Sequence, residues 1–105
     1  MKINGNLEIS EDALADFCHR WRITELAVFG SVLTEQFRPD SDADVIVTFE
    51  PDTRWTLFDI VQMEDELGHV FGRDVDLSEK SAVEKSENYI RRRNILKSAQ
   101  TIYGA

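Results

Sequence analysis

Asp42 and Asp44 flank a single alanine at the head of an apolar run, Val45-Ile46-Val47. On an extended chain, residues two apart share a face and stand roughly 7 Å apart. Two like charges so placed repel unless a cation lies between them. All-oxygen donors suit a hard cation such as Mg²⁺. The plain alternative is a solvated turn, Pro39-Asp40-Ser41-Asp42, running into a frayed strand end at Asp44. Asp74 and Asp76 make a second same-face pair around Val75. A third carboxylate from such a neighbouring strand would complete a two-metal site, in which cations activate a hydroxyl, clamp a phosphate and neutralise a leaving pyrophosphate. Asp74 also reads simply as a solvated strand end beside Arg73.

Gly30-Ser31 follows the apolar run Leu26–Phe29. Glycine lets a chain turn sharply and lets a phosphate approach the backbone. The N-terminus of a following helix would add free N–H groups and a partial positive charge, and Ser31 a hydroxyl donor. On its own the pair is a common turn dipeptide.

These residues need a scaffold of short strands covered by helices. Ser10 is placed to cap a first helix carrying Leu14, Phe17, Cys18 and Trp21 on one stripe. Leu26–Phe29 reads as a buried strand, Ser31 to Phe37 as a short helix, and Arg38 to Ser41 as a turn. Asp42 to Phe49 reads as a second strand. Thr56 and Asp59 have capping-box spacing and open a helix through Leu57, Ile60, Val61, Glu64, Leu67 and Val70-Phe71, with Gly68 and Gly72 as candidate stops. Val75-Asp76-Leu77 is a third strand. Ser86 to Tyr103 reads as a closing helix, with Tyr89-Ile90, Leu96, Ala99 and Ile102-Tyr103 inward and Gly104 as its cap. The expected fold class is α/β (α+β), one small mixed sheet covered by helices, with residues 1–105 as a single minimal domain.

The net charge of −8 over 105 residues argues against a free-standing nucleic-acid binder, which would usually be basic. The charge is uneven. Residues 1–77 carry six positive and seventeen negative side chains, and residues 78–105 six positive and three negative. Cys18 is the single cysteine, so no internal disulfide forms. No apolar stretch approaches the ~18 residues of a membrane span, and no signal-like start is present. The expectation is a cytoplasmic protein that binds neither nucleic acid nor membrane.

Gly30-Ser31, ten residues, then Asp42-x-Asp44 fits the pattern G-S-x10-D-x-D. The chain thereby resembles the nucleotidyltransferase superfamily related to DNA polymerase beta. From Gly30 to Val47 it is similar to the minimal nucleotidyltransferases, the MNT proteins. Gly72 to Leu77 looks like the strand that carries their third carboxylate, and Tyr89 to Gly104 like their closing helix. The resemblance implies that Gly30 and Ser31 hold a triphosphate. It implies that Asp42 and Asp44 bind two Mg²⁺ ions, and that Asp76, rather than Asp74, is the third metal ligand and helps activate the acceptor hydroxyl. It further implies ATP as substrate and an antitoxin role: AMP added to a tyrosine of a HEPN-domain ribonuclease toxin within a hetero-oligomer. An acidic protein suits a basic, RNA-cutting partner. Relatives often follow the Gly-Ser with alanine, arginine and glycine. Here Val32, Leu33, Thr34 and Glu35 stand there, and Arg38 is the nearest basic residue to take over the phosphate contact.

Two other functions fit the same residues. One is an antitoxin that neutralises by binding alone; the other is a transferase for small molecules of the aminoglycoside type, short of an acceptor-binding domain. Arg91-Arg92-Arg93 is the densest basic run, either a solvated helix face or a contact for a partner or for ATP phosphates. Three consecutive residues spread around a helix, so at most two reach one target. Trp21, Trp55 and the phenylalanines are mainly core; one aromatic could stack on adenine without the sequence choosing it. Tyr89 and Tyr103 suit packing better than self-modification, and His69 a helix C-terminus.

Overall fold

The computed structural model describes residues 1–3, 5, 7–33, 38 and 41–104, the side chain of Ser31 excepted. The elements are β1 (Lys2–Ile3), β2 (Leu7–Glu8), α1 (Glu11–Arg20), β3 (Ile23–Phe29), a 3₁₀ turn (Gly30–Leu33), β4 (Ala43–Phe49), α2 (Leu57–Phe71), β5 (Val75–Glu79), α3 (Lys80–Glu84), α4 (Tyr89–Ser98) and β6 (Gln100–Gly104).

Local chemistry explains the helix ends. Ser10 Oγ accepts from the Ala13 amide at 3.2 Å. Glu11 and Asp12 occupy the first turn of α1 and His19 and Arg20 the last, each complementing the helix dipole. At α2 the capping box is complete. Thr56 N donates to Asp59 Oδ2 at 2.8 Å, and Asp59 N to Thr56 Oγ1 at 3.3 Å. Gly72, at φ +72°, ends α2 in the left-handed conformation and donates to the Gly68 carbonyl. Gly68 itself lies within the helix.

The principal sheet has the order β5-β4-β3-β6. β3 is antiparallel to β4 and β6, and β4 is parallel to β5, with α2 as the crossover. The sheet is therefore mixed, as expected. Strand alternation sorts its faces. Leu26 and Val28 of β3, Ala43, Val45 and Val47 of β4, and Val75 and Leu77 of β5 point into one core, with Leu14, Phe17 and Cys18 of α1 and Met63, Leu67 and Phe71 of α2. Asp44 and Asp76 fall on the opposite face by the same alternation. Glu64 of α2 accepts the Leu77 amide at 2.8 Å and so covers part of the exposed edge of β5.

Three expectations need correction. The closing segment is not one helix: α4 stops at Ser98 and the chain runs extended as β6 along β3. Thr101, Ile102 and Tyr103 are β-branched or aromatic, and pairing them covers an edge of β3 that would otherwise lie open. Gly104 is accordingly a strand residue rather than a helix cap, and Tyr89 and Ile90, expected inward, are 58% and 71% exposed. The short helix expected over Ser31 to Phe37 is a single 3₁₀ turn as far as Leu33, residues 34–37 lying outside the described set. The β1–β2 hairpin and α3 were not anticipated. Among the described residues no helix is long and apolar enough to cross a membrane.

Candidate active site

β3 delivers the chain to Gly30, whose φ of +77° is one that side-chain-bearing residues rarely adopt. The turn folds Gly30 back on Asp44, so closely that a Cβ there would stand 2.5 Å from Asp44 Oδ2. Pairing registers explain the meeting. Phe29, the last residue of β3, is opposite Asp44 on β4. Asp44 is in turn opposite Asp76 on β5. Three chain segments thus bring Gly30, Asp44 and Asp76 together at one end of the sheet.

Asp42 lies two residues before Asp44, just outside β4, with its side chain exposed. The turn before it is fastened. Arg38 N donates to Ser41 Oγ at 3.0 Å, and Ser41 N donates to the Arg38 carbonyl at 3.0 Å. The Arg73 guanidinium donates to the carbonyls of both Arg38 and Ser41, at 2.9 and 3.1 Å. Ala43 N donates to the Asp74 carbonyl at 2.9 Å, which joins the approaches to β4 and β5.

A cavity of about 370 Å³ opens over this end of the sheet, and Asp44, Asp76, Phe29, Ser78 and Arg91 contribute to its lining. Asp74 lines a different cavity, of about 580 Å³, beside Glu64, His69 and Arg73. Of Asp74 and Asp76, Asp76 is the one that shares a cavity with Asp44. Arg38 is exposed and lines neither cavity. Pro39 and Asp40 lie outside the described residues, as does the Ser31 side chain.

Burial pushes the Asp44 carboxyl above the usual carboxylate range; the negative charges of Asp76 and then Asp42 add to the effect, and Arg91 opposes it. Among the described residues no three metal-binding side chains converge on one point. Asp44 and Asp76 nevertheless fit a divalent cation: both are oxygen donors, they are paired in register, and their shared negative charge is what a cation would relieve.

Sequence reasoning missed three contributors. Phe29 is an aromatic at the cavity, whereas Trp21, Trp55 and Phe49 form an edge-to-face cluster, with ring centres 5.1 and 6.4 Å apart, that packs against the core. Its position immediately before Gly30 was the available signal. Arg73 was seen only as a neighbour of Asp74. Arg91 was one of three equivalent arginines.

The sheet end sets registered carboxylates beside a left-handed glycine in a small mixed α/β domain. Residues 11–101 match the nucleotidyltransferase domain family, and the chain belongs to that family. Family members generally use a divalent metal and a nucleoside triphosphate. The chain is 34% identical over 64 residues to protein adenylyltransferase MntA of Thermococcus cleftensis. That match covers 61% of this chain and 63% of the relative. A solved structure assigned as a minimal nucleotidyltransferase is similar at 29% identity and TM-score 0.63, over 85% of each chain. A toxin–antitoxin structure with AMP-PNP has TM-score 0.68 at 14% identity, over 92% of this chain and 75% of the other. A complex of the tri-AMPylated Shewanella oneidensis HEPN toxin with its MNT antitoxin has TM-score 0.60 at 14% identity, over 90% and 70%. At 14% identity, the last two likenesses establish the shared fold.

Proposed function

We propose that this chain is an antitoxin that moves AMP from ATP onto a tyrosine hydroxyl of a partner HEPN-domain ribonuclease. The observation that carries the chemistry is the registered pair Asp44 and Asp76 with Gly30 packed against it. The relative named as a protein adenylyltransferase and the AMPylated toxin complex support AMP as the transferred group and a HEPN protein as the acceptor; the tyrosine is what the family resemblance implies.

In this reading the acceptor oxygen attacks the α-phosphorus, the bond from that phosphorus to the bridging oxygen breaks, and pyrophosphate leaves. Asp42, Asp44 and Asp76 would hold two Mg²⁺ ions, which supply charge neutralisation at the phosphates and lower the pKa of the attacking hydroxyl. Gly30 removes the side chain that would separate the turn from Asp44 and lets a phosphate approach the backbone. Ser31 is assigned a hydroxyl contact to it, and Arg38 an outer contact. Asp76 is assigned the orientation of the acceptor hydroxyl, whose proton passes to it or to solvent.

Co-expression with the HEPN protein of a neighbouring reading frame tests this reading in cells. The wild-type chain should restore growth, and Asp44→Asn should fail to restore it while still co-purifying with the toxin. If Asp44→Asn restores growth as the wild type does, neutralisation works by binding and the catalytic reading is wrong.

A further inference from the structure

The loop after Gly30 offers no positive charge: Val32, Leu33, Thr34 and Glu35 follow Ser31. An incoming triphosphate would meet Asp44 and Asp76 there, and beyond the outer contact assigned to Arg38 only metal cations would offset both sets of charge. The three arginines of α4 are not equivalent in answering this. Arg92 is already engaged. Its Nη1 donates to the carbonyls of Glu84 and Ser86 at 3.2 and 3.1 Å, and its guanidinium lies 5.3 Å from the centre of the Tyr89 ring. It closes the connection between α3 and α4. Arg93 does not line the cavity and is exposed. Arg91 lines the cavity with Asp44 and Asp76, and its guanidinium makes no ion pair or hydrogen bond among the described residues.

We propose that Arg91, brought over the carboxylates by the cap of α4, is the guanidinium that binds the β- and γ-phosphates of the nucleotide; this rests on the nucleotidyl-transfer reading above. The placement has a local cause. Asn88 Oδ1 accepts the Arg91 amide at 3.1 Å and fixes the start of α4. The first turn of the helix is thereby set beside the sheet end, and Arg92 ties it to the preceding loop. A guanidinium fork matches phosphate oxygens in pairs. Arg91 also already offsets the negative charge around Asp44, and of the two arginines lining the cavity, Arg91 and Arg92, it is the one whose guanidinium is not held by backbone carbonyls.

The test is binding of a non-hydrolysable ATP analogue and of AMP, with Mg²⁺, to the wild type and to Arg91→Ala, Arg91→Lys and Arg93→Ala, each checked for an unchanged melting profile. Arg91→Ala should weaken the triphosphate by about 10- to 100-fold, the usual scale for a charged hydrogen bond, and AMP by far less. Arg91→Lys should recover part of the loss, and Arg93→Ala should bind as the wild type does. Wild-type affinity for the triphosphate in Arg91→Ala, or an equal loss for AMP and triphosphate, would overturn the assignment while leaving nucleotidyl transfer intact. A wild-type protein that binds neither nucleotide would instead remove the parent reading, and this one with it.

Discussion

Gly30 and Asp44 are so close that a methyl group on Gly30 would stand 2.5 Å from the Asp44 carboxylate oxygen. Such a contact is well inside van der Waals range, and the nearby atom belongs to a side chain with a proposed role, so it cannot swing away without cost to the site. The residue is also held at φ +77°. Gly30→Ala should therefore destabilise the fold by about 1–2 kcal/mol, from backbone strain and the clash together. Its loss of transfer activity should be much larger than that stability change implies. Thermal melting and initial rates on the same preparation separate the two effects.

Asp44 should report on the site through pH. Its carboxyl is raised by burial and by Asp76 and Asp42, so the folded, metal-free protein holds that proton more tightly than the unfolded chain does. The resulting contribution to stability is present at acid pH and is lost as pH rises through the raised value. Asp44→Asn should then stabilise the metal-free protein at neutral pH, by about 1 kcal/mol or less because the group is partly solvated, and not at acid pH. Mg²⁺ should raise the melting temperature of the wild type and leave that of the variant nearly unchanged. Melting curves across pH, with and without Mg²⁺, measure both.

Arg73 makes a prediction of a different kind. Its guanidinium bridges the carbonyls of Arg38 and Ser41, immediately ahead of Asp42. Arg73→Ala should cost about 1–2 kcal/mol of stability, since two charge-assisted hydrogen bonds at a partly exposed site are removed. It should also raise the Mg²⁺ concentration needed for half-maximal transfer by about 10-fold or more, on the scale seen when groups supporting a metal ligand are lost. The rate at saturating Mg²⁺ should recover substantially. A proportional loss at all Mg²⁺ concentrations would show that Arg73 does not act through the carboxylates.

The parts of this site readable from sequence were those set by local rules. Alternation along β4 placed Asp42 and Asp44 on the face away from Val45 and Val47, and the Thr56–Asp59 capping box marked the start of α2 at the residue where it begins. What escaped was set by partners distant in the chain. Ile102 and Tyr103 satisfy helical spacing with Leu96 and Ala99 as well as they satisfy a strand, and the free edge of β3, some seventy residues earlier, decides between them. The β1–β2 hairpin has two-residue strands, too short to show alternation. Arg73 and Phe29 took their places from tertiary pairing at the ends of β4 and β5, which no spacing along the chain encodes.

The most direct test of the central claim is transfer of label from α-labelled ATP, with Mg²⁺, to the HEPN protein of the neighbouring reading frame, beside an Asp42→Asn/Asp44→Asn control. Label should appear on a tyrosine of the partner, and the control should fall by roughly 1,000-fold or more, equivalent to about 4 kcal/mol of transition-state stabilisation. A partner that is tightly bound and inhibited yet carries no label with any of the four nucleotides would contradict the account, and would make the chain an antitoxin that acts by binding alone.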